Sequence, residues 1–393
     1  MTSTPARLRH SGGLRRVTAL HTRPLSHIDW FLFVAAFSIA LLGLATMHSF
    51  SAENAFFEKQ IIWICLTIPV FFFASLGDYS FLRRTPFVVG CFIFILTLLG
   101  LIFAFGAIVK GGQNRFSLGF FAVQPAEPAK LVLIMVLAKY FSRRHIEIKH
   151  YRHILVSGAY AFSVFALIFL QPDLGSGITI VGIWFGMVLV AGISWKHVAI
   201  LLVTAVIVFT GLWQYGLKPY QKARILTFIH PLADIRGTGY NAYQSTVAVG
   251  SGEIFGKGIG YGTQSKLQFL PEFQTDFIFA AFIEEWGFFG ALILFGLFGV
   301  VMVRILVIAA HGADNFDTLF AAGVAVFFLT QFIIHVGMNM GLLPITGTTL
   351  PFMSYGGSHL LTEFLALGIL MGMRRRARPS LQARDETELI GAL

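Results

Sequence analysis

Apolar residues in this chain come in long blocks, each bounded by a short polar or Gly- and Pro-bearing segment. A helix needs about 20 mostly apolar residues to cross a bilayer. Segmenting on that length predicts ten spans, at 29–49, 60–77, 86–108, 128–142, 154–170, 175–193, 197–215, 276–308, 318–340 and 357–373. The expected fold is an all-α polytopic membrane protein of about ten transmembrane helices. The block at 128–142 is short, the one at 276–308 is long enough to tilt or break, and Pro69 predicts a kink because it removes a backbone donor. The same pattern divides the chain into a basic tail at 1–28, a membrane domain at 29–373 and a second tail at 374–393. Within the domain, the connection at 216–275 between the seventh and eighth spans far exceeds ordinary loop length, and such loops are usually functional.

Composition agrees with the block pattern. Hydrophobic residues make up 56% of the 393 residues and charged ones 12%, against about 25% charged in soluble domains, which excludes a soluble globular enzyme. Two cysteines, Cys65 and Cys91, supply no disulfide framework. The net charge of +10 would suggest nucleic acid in a soluble protein, so its distribution matters. With both termini inside, 19 of the 29 basic residues fall on the inner side, which sets the expected orientation in a cytoplasmic membrane, with the first span kept as an uncleaved anchor. Six of the other ten, Lys218, Lys222, Arg224, Arg236, Lys257 and Lys266, lie in the long outer loop. Topology and an anionic ligand therefore account for the charge, and no nucleic acid is expected.

Three outer segments carry candidate chemistry. In the first, Arg115 stands in a Gly-rich loop as a candidate anion contact, and Glu127 and Lys130 share a helix face at i,i+3 spacing, where a structural ion pair is the plain reading. The second, Gln171-Pro172-Asp173-Leu174-Gly175-Ser176-Gly177, reads as a turn with Asp173 capping the next helix. The third is the long loop. Its glycines, interleaved with Lys257 and Lys266, could wrap a diphosphate. It ends in Thr275-Asp276, where a polar loop enters an apolar helix; that pair reads either as an N-cap or as a site carboxylate with its neighbour. Glu284 and Glu285 follow two to three turns deeper and need partners, with Lys130 and His335 as the candidates.

Taken together, these motifs resemble the SEDS family of shape, elongation, division and sporulation membrane proteins over residues 29–373. The resemblance rests on Q-P-D-L-G-S at 171–176, G-T-Q-S-K-L-Q-F-L-P-E and T-D-F-I-F between 239 and 287, G-L-L-P at 341–344 and S-Y-G-G-S at 354–358. The wording G-T-Q-S followed by F-L-P-E resembles the elongation branch more than the division branch. The implied activity is peptidoglycan glycosyltransfer, polymerising lipid II into nascent glycan at the outer membrane face. By resemblance, Asp276 is the essential carboxylate, and Arg115, Glu127, Lys130 and Thr275 fall on family motif positions; Asp276 is the expected general base, and Arg224 and Lys257 join Arg115 as candidate diphosphate contacts. A divalent cation, Mg or Mn, is the expected cofactor, with no organic one. A class B penicillin-binding transpeptidase and other elongation-complex membrane proteins are the expected partners. The chain departs from the family pattern at Gln274, Phe116 and Ala126, where His, Trp and Ser are common. A flippase of lipid-linked precursor, a division-type polymerase and a scaffold are the competing readings.

Overall fold

The computed structural model describes residues 27–50, 55–109, 112–118, 121–143, 151–229, 238–267, 269–270 and 272–391, with side chains described as far as Arg375. The expected tail before His27, together with Lys110, Arg144, Lys149, Asp234 and Arg236, lies outside the described residues. Among those described, thirteen α-helices form. They are α1 (Trp30–Phe50), α2 (Ala55–Leu76), α3 (Thr85–Phe105), α4 (Ala126–Ser142), α5 (Tyr151–Leu170), α6 (Leu174–Val190), α7 (Trp195–Gly211), α8 (Pro219–Ile229), α9 (Thr238–Ser251), α10 (Thr263–Lys266), α11 (Ile278–Ala310), α12 (Asn315–Asn339) and α13 (Gly357–Gly391). Seven of them, α1, α2, α3, α5, α7, α11 and α12, are long and apolar enough to cross a membrane, and α6 is a shorter apolar helix. The expected fourth and tenth spans form α4 and α13, both of which carry buried charged side chains.

The bundle is sorted by exposure. Helix α7 is scarcely packed, with Val206 and Ile207 exposed by about two thirds. Such an apolar surface suits hydrocarbon and not water. At the other extreme, α4 and α12 are the buried centre, and α4 packs against α3, α5, α6, α12 and α13. Helix α6 approaches α12 through Gly182 and Gly186, where a Cβ would lie 2.4 Å from Thr330 and from Val326; small residues at four-residue spacing permit this closeness.

Ion pairs gather helix ends on one face. Asp29, just before α1, accepts from Arg304 of α11 and from Arg374 of α13, the latter at 3.0 Å. Arg83 bridges Asp314 at 2.6 Å and Asp317 at 2.7 Å. Asp314 also caps α12, accepting from the amides of Phe316 and Asp317. These basic residues all belong to the side that the sequence assigns as inner.

The opposite face differs from expectation in one respect. The third block ends early, at Phe105, because Gly106 takes an extended conformation, and Ala107–Val109 becomes strand β1. With β2 (Gly112–Leu118) and β3 (Phe121–Val123) it forms a small three-stranded antiparallel sheet, β1-β2-β3, on an otherwise helical protein. Arg115 sits on β2, opposite Ala107. The long loop is also built, into α8, α9 and α10.

The expected break in the eighth block falls at Gly287, whose φ of 64° and ψ of −160° suit glycine almost alone. Loop 252–260 fills the break. The amides of Lys257 and Gly258 donate to the Glu284 and Glu285 carbonyls at 2.9 and 3.0 Å. The amides of Phe288 and Phe289 donate to the Glu253 and Ile254 carbonyls at 3.0 and 3.2 Å. The loop thus satisfies the orphan groups of both half-helices, which hydrocarbon would leave bare.

Candidate functional site

Asp276 ends the turn that enters α11. The amides of Thr275, Asp276 and Phe277 all donate to the Glu272 carbonyl, which curls the segment tightly. Phe277 holds the cap position of α11 and makes no side-chain cap bond. Asp276 thus stands one residue before the cap position, at the end of the turn. The Asp276 carboxylate is half-buried, and its Oδ2 lies 3.4 Å from where a Cβ on Gly347 would stand, so it faces the segment joining α12 to α13.

That segment also suspends the Asp276 turn. Ser354 Oγ donates to the Thr275 carbonyl at 2.9 Å, and the Tyr355 amide donates to the Gln274 carbonyl at 2.8 Å. From below, Asn339 Nδ2 donates to the Asp276 carbonyl at 3.0 Å and to His335 at 2.8 Å. Asn339 Oδ1 accepts from Ser245 of α9 at 3.2 Å and from the Ala280 amide at 3.3 Å. One buried amide thereby ties α9, α11 and α12 beneath Asp276.

The other sequence motifs converge on the same segment. Gly175, at the start of α6, abuts the carbonyls of Thr346 and Gly347. Asp173 caps α6 through the Ser176 amide at 3.0 Å, as its spacing predicts, and also accepts from Gln124 Nε2 at 2.8 Å. The Gln124 amide in turn donates to Ser358 Oγ at 3.1 Å. Arg115 reaches this neighbourhood from the sheet: burial pushes the Tyr355 phenol up, and the nearby Arg115 charge opposes that rise.

Glu127 and Lys130 form the expected pair at 2.6 Å, fully inside the bundle. They do not stand alone. His359 of α13 contacts Glu127 Oε2 through Nδ1 at 3.0 Å and Glu363 through Nε2 at 3.0 Å, and Glu363 accepts from the Phe352 amide at 2.8 Å. Sequence reading missed His359, Glu363 and Asn339. The signal was present, since ionisable and amide side chains inside a membrane helix are costly without partners.

Lys257, a candidate diphosphate contact, is held by a carboxylate of α11. Its Nζ pairs with Glu284 at 2.8 Å, and Thr263 Oγ1 and the Gln264 amide donate to the same carboxylate oxygen. Lys257 is thus a partner of Glu284 that the sequence reading did not name. The loop glycines serve the α11 break: a Cβ at Gly256 would lie 2.0 Å from the Glu285 carbonyl. Arg224 is exposed on α8, which packs on α9. No three His, Cys, Asp or Glu side chains gather as a metal site among the described residues.

A polytopic helical membrane protein with a half-buried carboxylate at the mouth of one helix, framed by the segments joining α3 to α4, α5 to α6 and α12 to α13, is the class these features define. The family model of FtsW, RodA and SpoVE cell cycle proteins matches residues 24–379, and the chain belongs to this SEDS family. It is 35% identical over 360 residues to the stage V sporulation protein E of Bacillus subtilis, covering 89% of this chain and 98% of that protein. It is also 35% identical over 349 residues to the peptidoglycan glycosyltransferase MrdB of Escherichia coli, covering 88% and 93%. Among solved structures it is similar to a chain from a peptidoglycan synthase complex that coordinates polymerization and crosslinking, with a TM-score of 0.76, 29% identity and coverage of 89% and 98%.

Proposed function

We propose that this protein is a peptidoglycan glycosyltransferase that polymerises lipid II at the outer face of the cytoplasmic membrane, with both termini cytoplasmic and ten spans in all. The observation that carries this reading is the convergence of motifs distant in sequence on Asp276: Gly347, Ser354, Tyr355 and Asn339 all hold or face its turn. Family membership and relatives named as glycosyltransferases support the same reading.

In this mechanism the growing glycan, linked to undecaprenyl diphosphate, is the donor. The 4-hydroxyl of an incoming lipid II attacks its anomeric carbon. The new carbon–oxygen bond forms as the bond to the diphosphate breaks, the diphosphate leaves with the electron pair, and Asp276 takes the hydroxyl proton. Direct displacement predicts inversion at the sugar. Arg115 acts on the leaving phosphate oxygens, for which a guanidinium fork is well matched. Arg224 stands further out as an electrostatic guide, while Lys257 sustains the framework through Glu284. Thr275 positions Asp276 through its Ser354-bound carbonyl, and the Glu127–Lys130 pair holds α4 against α13 through His359. The described residues offer no cage for a resident metal; an Mg or Mn ion would travel with the diphosphate, whose oxygens such ions favour, and no step above depends on it.

The elongation role follows from G-T-Q-S and F-L-P-E at 262–272, and a class B penicillin-binding transpeptidase is the proposed partner, together with other elongation-complex membrane proteins. The test is a lipid II polymerisation assay on purified protein with and without that partner. Glycan strands that lengthen when the partner is added support the reading. Arg115→Gln should slow polymerisation by roughly 10-fold or more, the worth of one charge-assisted bond, read chiefly in kcat because the charge it meets develops as the diphosphate leaves.

A translocation reading has one observation in its favour, the break of α11 beside Glu284 and Glu285, since broken helices mark many transport sites. Against it, loop backbone fills that break. Lipid II presented in the inner leaflet of sealed vesicles separates the two: its transfer to the outer leaflet without glycan product would favour transport.

A further inference from the structure

Far from Asp276, at the opposite ends of α3, α4 and α5, lies a cavity of about 600 Å³. Its two ends differ in chemistry. Towards the helix ends it is lined by Lys139 and Arg143 of α4 and its C-cap and by Arg152 of α5; along the helices it is lined by Val89, Phe92 and Val156. Between them, Tyr140 and His153 form its polar floor, joined at 2.9 Å.

Among the described residues, the charges there are not all committed. Lys139 donates to the Arg83 carbonyl, and Arg83 is held by Asp314 and Asp317. Counting Lys139 and Arg83 against those two aspartates leaves the group neutral. Arg143 and Arg152 remain, both exposed, and no described carboxylate pairs with either. Two arginines at a helix-end interface, above an apolar slot open between three membrane helices, match a molecule with phosphate at one end and hydrocarbon at the other. Neither a free anion nor an uncharged lipid uses both halves.

We propose that this cavity is a binding site for an anionic phospholipid of the leaflet on that face, its phosphate between Arg143 and Arg152 and an acyl chain along Val89, Phe92 and Val156. Basic pockets between membrane helices recognise such headgroups through charge at close range. The site lies at the inner end of α4, whose outer end carries Glu127, so an occupied cavity steadies the helix at the centre of the bundle.

The full-length protein is purified in detergent and presented with phosphatidylglycerol or phosphatidylethanolamine, and retained lipid is counted by native mass spectrometry. Wild type should retain phosphatidylglycerol with a preference of roughly 25-fold, about fivefold for each arginine. Arg143→Gln with Arg152→Gln should abolish that preference, and Arg143→Lys with Arg152→Lys should restore most of it. Val156→Trp, which fills the slot and leaves both charges, should also abolish it, and it covers the case in which the glutamine variant does not fold. Equal retention of the two lipids by wild type, or an unchanged preference in Val156→Trp, would overturn the proposal. Displacement of the lipid by millimolar glycerophosphoglycerol would do so as well, since it would mark a site for soluble phosphate esters.

Discussion

Asp276 and Asn339 divide one task between side chain and backbone. The carboxylate of Asp276 faces Gly347, and the backbone that aims it hangs from Asn339, Ser354 and Tyr355. Asn339→Ala leaves the Asp276 carbonyl and the Ala280 amide each short of a partner, while the Ser245 hydroxyl keeps its bond to the backbone carbonyl of residue 339. A loss of about 2 kcal/mol in stability is expected, with turnover reduced by up to about 100-fold through misplacement of the carboxylate. Thermal unfolding in detergent and a lipid II assay read the two effects separately; wild-type turnover in this variant would remove Asn339 from the site. His359 is the other residue the sequence reading passed over. It stands between two buried carboxylates, so His359→Leu should cost about 3–5 kcal/mol and His359→Gln less, measured as the midpoint of thermal unfolding. Both residues lie in apolar blocks, where a block-by-block reading sees only hydrophobicity, and only the tertiary fold shows which polar groups meet.

At the scale of elements, the defining arrangement is a membrane helix interrupted on purpose and repaired by a loop distant from it along the chain. The half-helices of α11 exchange backbone hydrogen bonds with loop 252–260, and Glu284 anchors that loop through Lys257, Thr263 and Gln264. Gly287→Ala places a Cβ 2.3 Å from the Gly256 amide nitrogen in a conformation that suits glycine almost alone. A loss of about 3 kcal/mol or more is expected, and a melting temperature equal to wild type would show that the break relaxes freely. The break itself was legible in the length of the 276–308 block. Its repair was not, because the Gly-rich run reads equally as a phosphate cradle; glycine permits close approach of backbone without saying to what.

For the whole molecule, the helices were legible because the requirement to satisfy every backbone group in hydrocarbon leaves few alternatives. Each predicted block has a helix where the pattern placed it, apart from the strand that begins at Ala107. The motifs at 171–176, 275–276 and 354–358 could be found one at a time in the sequence, but their meeting with residues 346–348 at one end of the bundle belongs to the fold. That meeting separates the molecule into two faces: one where Asp29, Arg83 and Arg304 tie helix ends together, and one where loops assemble around Asp276. The central claim is that the second face performs glycosyl transfer with Asp276 as its base. Asp276→Asn keeps the size of the side chain and removes its capacity to take a proton, so the decisive measurement is the rate at which purified Asp276→Asn protein, shown to be folded and to bind its transpeptidase partner like wild type, converts lipid II to glycan. The account predicts a fall of at least about 100-fold, the usual worth of a general base; a rate equal to wild type would contradict it.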